Sequence, residues 1–142
     1  MGQTYSLDGD IKSAFGSSDI VLARLSSVGK LKDLRNIGTS SFEKANSFLR
    51  REDGTLIIVG QRSNKNGLLN TENVGNDIAL YYTLENGSLV KKATLGDYGI
   101  NQANDVILSH QNNVIVIGSS ESISKPFQNP RGSKDIFLAI WY

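Results

Sequence analysis

Three stretches of this chain are versions of one segment set 58 residues apart: DIVLARL from Asp19, DIALYYTL from Asp77 and DIFLAIWY from Asp135. The same offset relates Gly2 to Gly60 and Gly118, Gly29 to Gly87, Gly38 to Gly96, and the pair Ala45-Asn46 to Ala103-Asn104. A fixed period of this size means stacked supersecondary units, none able to bury its apolar face alone. The period therefore constrains the fold more than any local propensity does.

Within the unit, residues 55 to 60 (TLIIVG) are a short, β-branched apolar run between Asp53-Gly54 and Gly60, and 113 to 118 (NVIVIG) repeat it. Both read as strands buried on both faces. Ahead of each lies a second strand candidate, 44 to 51 or 102 to 109. The intervening Asp53-Gly54 or Asn112-Asn113 tolerates the positive φ of a tight hairpin turn. The segments opening at Asp19, Asp77 and Asp135 form a third strand, with Ile20 and Leu22, and their counterparts, on one side at period two. A turn at Val28-Gly29 or Asn86-Gly87 leads to a fourth strand, 30 to 37 or 88 to 95. Its Lys30, Lys32, Arg35, Lys91 and Lys92 suit a water-exposed edge.

No window sustains a capped 3.6-residue apolar period, so the expected fold is all-β. Four antiparallel strands joined by hairpins are the plan of a β-propeller blade. Labelled A to D, the strands give a partial blade B-C-D over 1–38, a full blade over 39–96 and a partial blade A-B-C over 97–142, about two and a half blades. The register begins within one residue of Met1 and stops mid-unit at Tyr142, which leads us to expect a piece of a longer propeller or one completed by oligomerisation.

Composition narrows the function classes. Fifteen Lys and Arg against 14 Asp and Glu leave a net charge of +1, with no broad field to draw in nucleic acid or an anionic membrane. No apolar run approaches the roughly 18 residues of a membrane span, so no membrane insertion is expected. Without cysteine the chain has no disulfide, thiolate metal ligand or thiol nucleophile.

Candidate sites are sparse. Asp19, Asp77 and Asp135 could converge on an axis and hold a cation. The reading their residue type favours is a carboxylate accepting backbone N–H bonds where the third strand starts. Asp8-Gly9-Asp10 lacks the further acidic ligands of a calcium loop and reads as a turn. His110, the one histidine, falls in a hairpin turn without a partner motif. No catalytic residue, metal or cofactor is expected. The B-to-C connections, 4–18, 62–76 and 120–134, are long and rich in Ser, Asn, Gly and Lys, the kind of loop that carries binding groups on repeat folds. In them Tyr5, Phe15, Arg62, Phe127, Gln128, Asn129 and Arg131 are the candidate ligand-binding residues. An aromatic ring beside Asn, Gln or Arg suits a sugar face and its hydroxyls. Phe48, Phe137 and Trp141 are read as core.

The chain also resembles the bacterial β-propeller repeats of the SBBP and delta-60 type. Gly16, Asp19, Ile20, Leu22 and Gly29 fit the first element of that repeat, as do Gly132, Asp135, Ile136 and Leu138. In the middle copy Gly75 stands one place nearer Asp77. Asp53, Gly54, Leu56, Ile57, Ile58, Gly60 and Ser63 fit the second element, where the later copy has Asn112-Asn113 instead of Asp-Gly. The resemblance implies blades belonging to a secreted or surface-attached bacterial protein, often an adhesion or interaction module, and so an extracellular setting. It implies no activity. The expected function is a non-catalytic binding or interaction scaffold that self-associates or joins further blades and takes a protein or glycan ligand. The alternatives are an oligomeric carbohydrate-binding lectin and a fragment of a propeller hydrolase or lyase.

Overall fold

The computed structural model describes residues 1–6, 8–11, 13–63, 75–96, 99–123, 126–127 and 131–142. Among these residues ten strands follow one another: β1 Gly2–Thr4, β2 Asp19–Leu25, β3 Leu31–Ile37, β4 Glu43–Arg50, β5 Leu56–Ser63, β6 Asn76–Thr83, β7 Leu89–Leu95, β8 Gln102–Leu108, β9 Val114–Ser120 and β10 Asp135–Trp141. They form three antiparallel sheets of consecutive strands, β1-β2-β3, β4-β5-β6-β7 and β8-β9-β10. The protein is all-β, and no described segment forms a helix long and apolar enough to cross a membrane.

Repeat-equivalent residues make equivalent local structure. Gly54 and Asn112 hold the same hairpin position at φ 84° and 61°, the left-handed region that Gly and Asn occupy at least cost. Strands β4 and β8 carry a bulge at the same place, between Ala45 and Ser47 and between Ala103 and Asp105. Opposite each bulge stands a glycine. A Cβ on Gly60 would lie 1.9 Å from the Lys44 carbonyl oxygen, and one on Gly118 would lie 2.1 Å from that of Gln102. Only a residue without a side chain fits there.

The sheets stack face to face. Ile20 and Ile37 of the first sheet pack on Ile58, Ala79 and Tyr81 of the second. From its opposite face Ile57, Val59, Ile78 and Leu80 pack on Val106, Val116 and Phe137 of the third. Because β5 lies between two neighbours, residues 56 to 61 are buried without alternation. The similar run in β9 alternates, since the third sheet is covered on one face only. The expectation of a second doubly buried strand there is corrected by this one-sided packing. Phe48 is also corrected: it is 45% exposed, whereas Val106 at the same repeat position is 5% exposed. Val106 packs in the cluster shared with the four-stranded second sheet, while among the described residues the first sheet has three strands and leaves Phe48 half exposed. Phe137 does join the core, and Trp141 packs partly buried against it.

Backbone bonds staple each junction at equivalent positions. Ser18 and Phe42 form an isolated parallel bridge, with Glu43 N–H donating to the Ser18 carbonyl at 2.9 Å. Asn76 and Ile100 form the next, with Asn101 N–H donating to the Asn76 carbonyl at 2.8 Å. Side chains add to the second junction: Asn46 Nδ2 donates to the Ala103 carbonyl at 2.7 Å, and the Ser47 hydroxyl to Asp105 Oδ1 at 2.6 Å. On the outer edges, Lys30, Lys32, Arg35, Lys91 and Lys92 are exposed, as an edge requires.

Candidate functional site

A concave pocket of about 550 Å³ opens between β7 of the second sheet and β10 of the third, beneath the β9–β10 connection. Sheet 2 has four strands and sheet 3 has three, so β10 is an edge and Leu95 at the end of β7 overhangs it. Leu95, Phe137 and Ala139 make an apolar floor. Phe127 sits against Phe137 edge to face, centroids 5.3 Å apart and planes at 61°, a geometry the ring quadrupoles favour. Around this floor stand Ser120, Ser122, Arg131 and Asp135.

The polar wall is held from behind. The Ser122 N–H donates to Ser120 Oγ at 3.0 Å, and the Ser120 hydroxyl donates to Asn101 Oδ1. Asn101, fully buried, donates through Nδ2 to the Asn76 carbonyl at 3.0 Å, so the wall is tied to the inter-sheet staple. Asp135 Oδ2 accepts the Arg131 N–H at 2.9 Å and closes the end of the loop. Asp19 Oδ2 accepts the Phe15 N–H in the same way at 2.7 Å. Asp19 and Asp135 therefore act as caps on the β1–β2 and β9–β10 connections. Glu121 anchors the other end, accepting the Ile100 N–H at 2.9 Å and pairing with Lys134 at 3.5 Å.

Of the residues singled out from sequence, Phe127 and Arg131 meet in this pocket. Tyr5 and Phe15 belong to the β1–β2 connection, both well exposed, the Tyr5 hydroxyl accepting Gln3 Nε2 at 3.2 Å. They do not join the pocket. Arg62 lies inside β5 rather than in a loop, a correction to the strand boundary: β5 runs three residues past Gly60 to Ser63, whose N–H donates to the Phe42 carbonyl at 2.8 Å. Gln128 and Asn129 lie outside the described residues. Sequence reasoning missed Leu95, Ser120 and Ser122. Leu95 is more than 30 residues from Phe127 in the chain, and only sheet stacking brings them together.

A second polar cluster lies where the first two sheets meet. Glu43, buried, accepts the Thr39 N–H at 2.9 Å and the Thr39 hydroxyl. Burial pushes the Tyr81 phenol well above its usual range, with the Glu43 carboxylate adding to the rise and Arg62 opposing it. Glu43 and Asn101 occupy the same repeat position, so one junction is built on a carboxylate and the next on an amide. Among the described residues no group of three His, Cys, Asp or Glu side chains stands close enough to hold a metal ion.

Compared with known proteins, the chain matches no family model and no curated protein.

Proposed function

We propose that this chain is a binding or interaction scaffold without catalysis, a β-propeller-type module of a larger, secreted or surface-exposed bacterial protein. Two observations support the propeller reading, a four-stranded meander between two three-stranded ones and stacking through the same faces at each junction, and the sequence resemblance to the SBBP and delta-60 repeats is in line with it. Self-association or further blades would complete the stack. The observation that carries the binding reading is the preformed pocket at Phe127 and Arg131, whose walls are fixed by sheet and loop hydrogen bonds. Such a pocket loses little conformational freedom on binding.

Its chemistry favours a hydroxylated ligand. An aromatic and aliphatic floor with Ser122, Arg131 and Asp135 around it suits one face of a sugar and its hydroxyl groups, which supports the lectin reading in particular. Hydrolysis of a glycoside uses two carboxyl groups flanking the bond. The described lining supplies one, Asp135, already engaged by a backbone N–H. Screening the whole chain on a glycan array, alongside Phe127→Ala and Arg131→Ala, tests this. Binding that falls at least tenfold in both variants supports the pocket. Binding unchanged in both, or turnover of the bound glycan, overturns it.

A further inference from the structure

The third sheet presents an apolar face that no described residue covers. Pairing along β8, β9 and β10 puts Ile107, Ile115, Ile117, Ile136, Leu138 and Ile140 on it, with Val106, Val116 and Phe137 on the other side. Ile136 is 83% exposed and Leu138 63%. One repeat earlier, Ile78 and Leu80 are fully buried because the third sheet covers them; two repeats earlier, Ile20 is fully buried beneath the second. The same face thus occurs three times and is covered twice, each time by the opposite face of the sheet that follows.

Among the described sheets, the one whose opposite face is not used in this way is the first. Its β2–β3 pairing places Val21, Ala23 and Leu34 there, with Leu25 and Leu31 at the bulged end. Leu25 is 56% exposed and Leu31 47%. Val21 and Ala23 stand where Ala79 and Tyr81 stand in the second sheet and Phe137 and Ala139 in the third. Resting on the self-association reading above, we infer that the open face of the third sheet packs on this face of the first sheet in a second copy of the chain, repeating the internal junction between molecules. The contact is head-to-tail, so it uses two different patches and closes copies into a ring when the rotation per copy divides a full turn. Five or six β-branched and Leu side chains leaving water together form a patch of the size monomers rarely leave exposed.

The chain has no cysteine, so disulfide trapping reads the contact directly. Ile117→Cys protein mixed with Ala23→Cys protein should cross-link on oxidation, while neither variant alone should cross-link to itself. Light scattering on the unmodified chain should give a discrete mass several-fold above 15.5 kDa, falling to 15.5 kDa in Ile117→Lys/Ile140→Lys with its β circular dichroism retained. An unmodified chain that is a folded monomer at high micromolar concentration overturns the inference, as does Ile117→Cys cross-linking to itself, the mark of two third sheets face to face. Mass that persists in the double Lys variant also overturns it. Assembly is indifferent to Phe127→Ala, so failure of the pocket and failure of this interface remain distinguishable.

Discussion

Replacing Ile78 with Ala probes the stack at a single repeat position that exists in three environments. Ile78 is fully buried between the second and third sheets; its equivalent Ile136 is 83% exposed. Truncation removes three buried carbons at about 0.8 kcal/mol each, roughly 2.4 kcal/mol of transfer free energy. The cavity left in a packed interface raises the loss to about 3–4 kcal/mol. At Ile136, where little burial is lost, the change should stay below about 0.5 kcal/mol in the monomer. The comparison belongs in the Ile117→Lys/Ile140→Lys background, which the head-to-tail account makes monomeric and therefore independent of concentration. In urea unfolding with a slope near 2 kcal/mol/M, Ile78→Ala should move the midpoint down by about 1.5–2 M, and Ile136→Ala by less than about 0.3 M. Ile20→Ala should resemble Ile78→Ala, since the second sheet covers it. Equal losses at Ile78 and Ile136, or a loss below about 1 kcal/mol at Ile78, would refute the reasoning, because the repeat residue would then not owe its burial to the next sheet.

Other outcomes follow from the same contacts. Gly118→Ala sets a Cβ 2.1 Å from the Gln102 carbonyl oxygen and 2.6 Å from the Phe137 ring, so it should cost about 2 kcal/mol or more in thermal or urea unfolding, whereas Gly132→Ala, with open space around it, should be near neutral. Asn46→Ala removes the bond to the Ala103 carbonyl and should cost about 1 kcal/mol; Asn104→Ala, at the same repeat position but with no side-chain hydrogen bond among the described residues, should cost less than half of that. The Ser47 hydroxyl and then the Val106 N–H hold the Asp105 carboxyl below its ordinary value, so Ser47→Ala should raise the Asp105 pKa in an NMR titration. A carboxylate depressed in the folded state stabilises above its unfolded pKa of about 3.9, and that contribution fades as pH falls through the folded value. A chain lacking the Ser47 hydroxyl should therefore lose less stability than the unmodified chain below about pH 4.

Strand order was readable because the 58-residue period and the two-residue alternation agree at Ile20 and Leu22, Ile78 and Leu80, and Ile136 and Leu138. Hairpin turns were readable from Asp53-Gly54 and Asn112-Asn113, whose residue types match the positive φ found at Gly54 and Asn112. Burial was not, since similar apolar runs in β5 and β9 have different fates depending on what lies across the face. Phe48 shows the same effect from the other side: an aromatic ring expected in the core stays half exposed where the neighbouring sheet has three described strands. At the junctions, matching by identity hides the buried pair Glu43 and Asn101, which share a position and a role but not a residue type. The pocket was half legible. Phe127 and Arg131 stand out in a loop as an aromatic and a cation, while Leu95 looks like any other strand-end leucine until the second sheet is laid over the third.

Methyl-resolved NOE spectroscopy tests the stacking of repeated sheets most directly. Cross-peaks from the Ile57, Val59, Ile78 and Leu80 methyls to Val106 and Val116, with Ile58 and Ala79 connecting instead to Ile20 and Ile37, are the predicted result. Ile58 methyls that report on Val116, or Ile57 methyls that report on Ile20, would mean the faces are exchanged and would contradict the account.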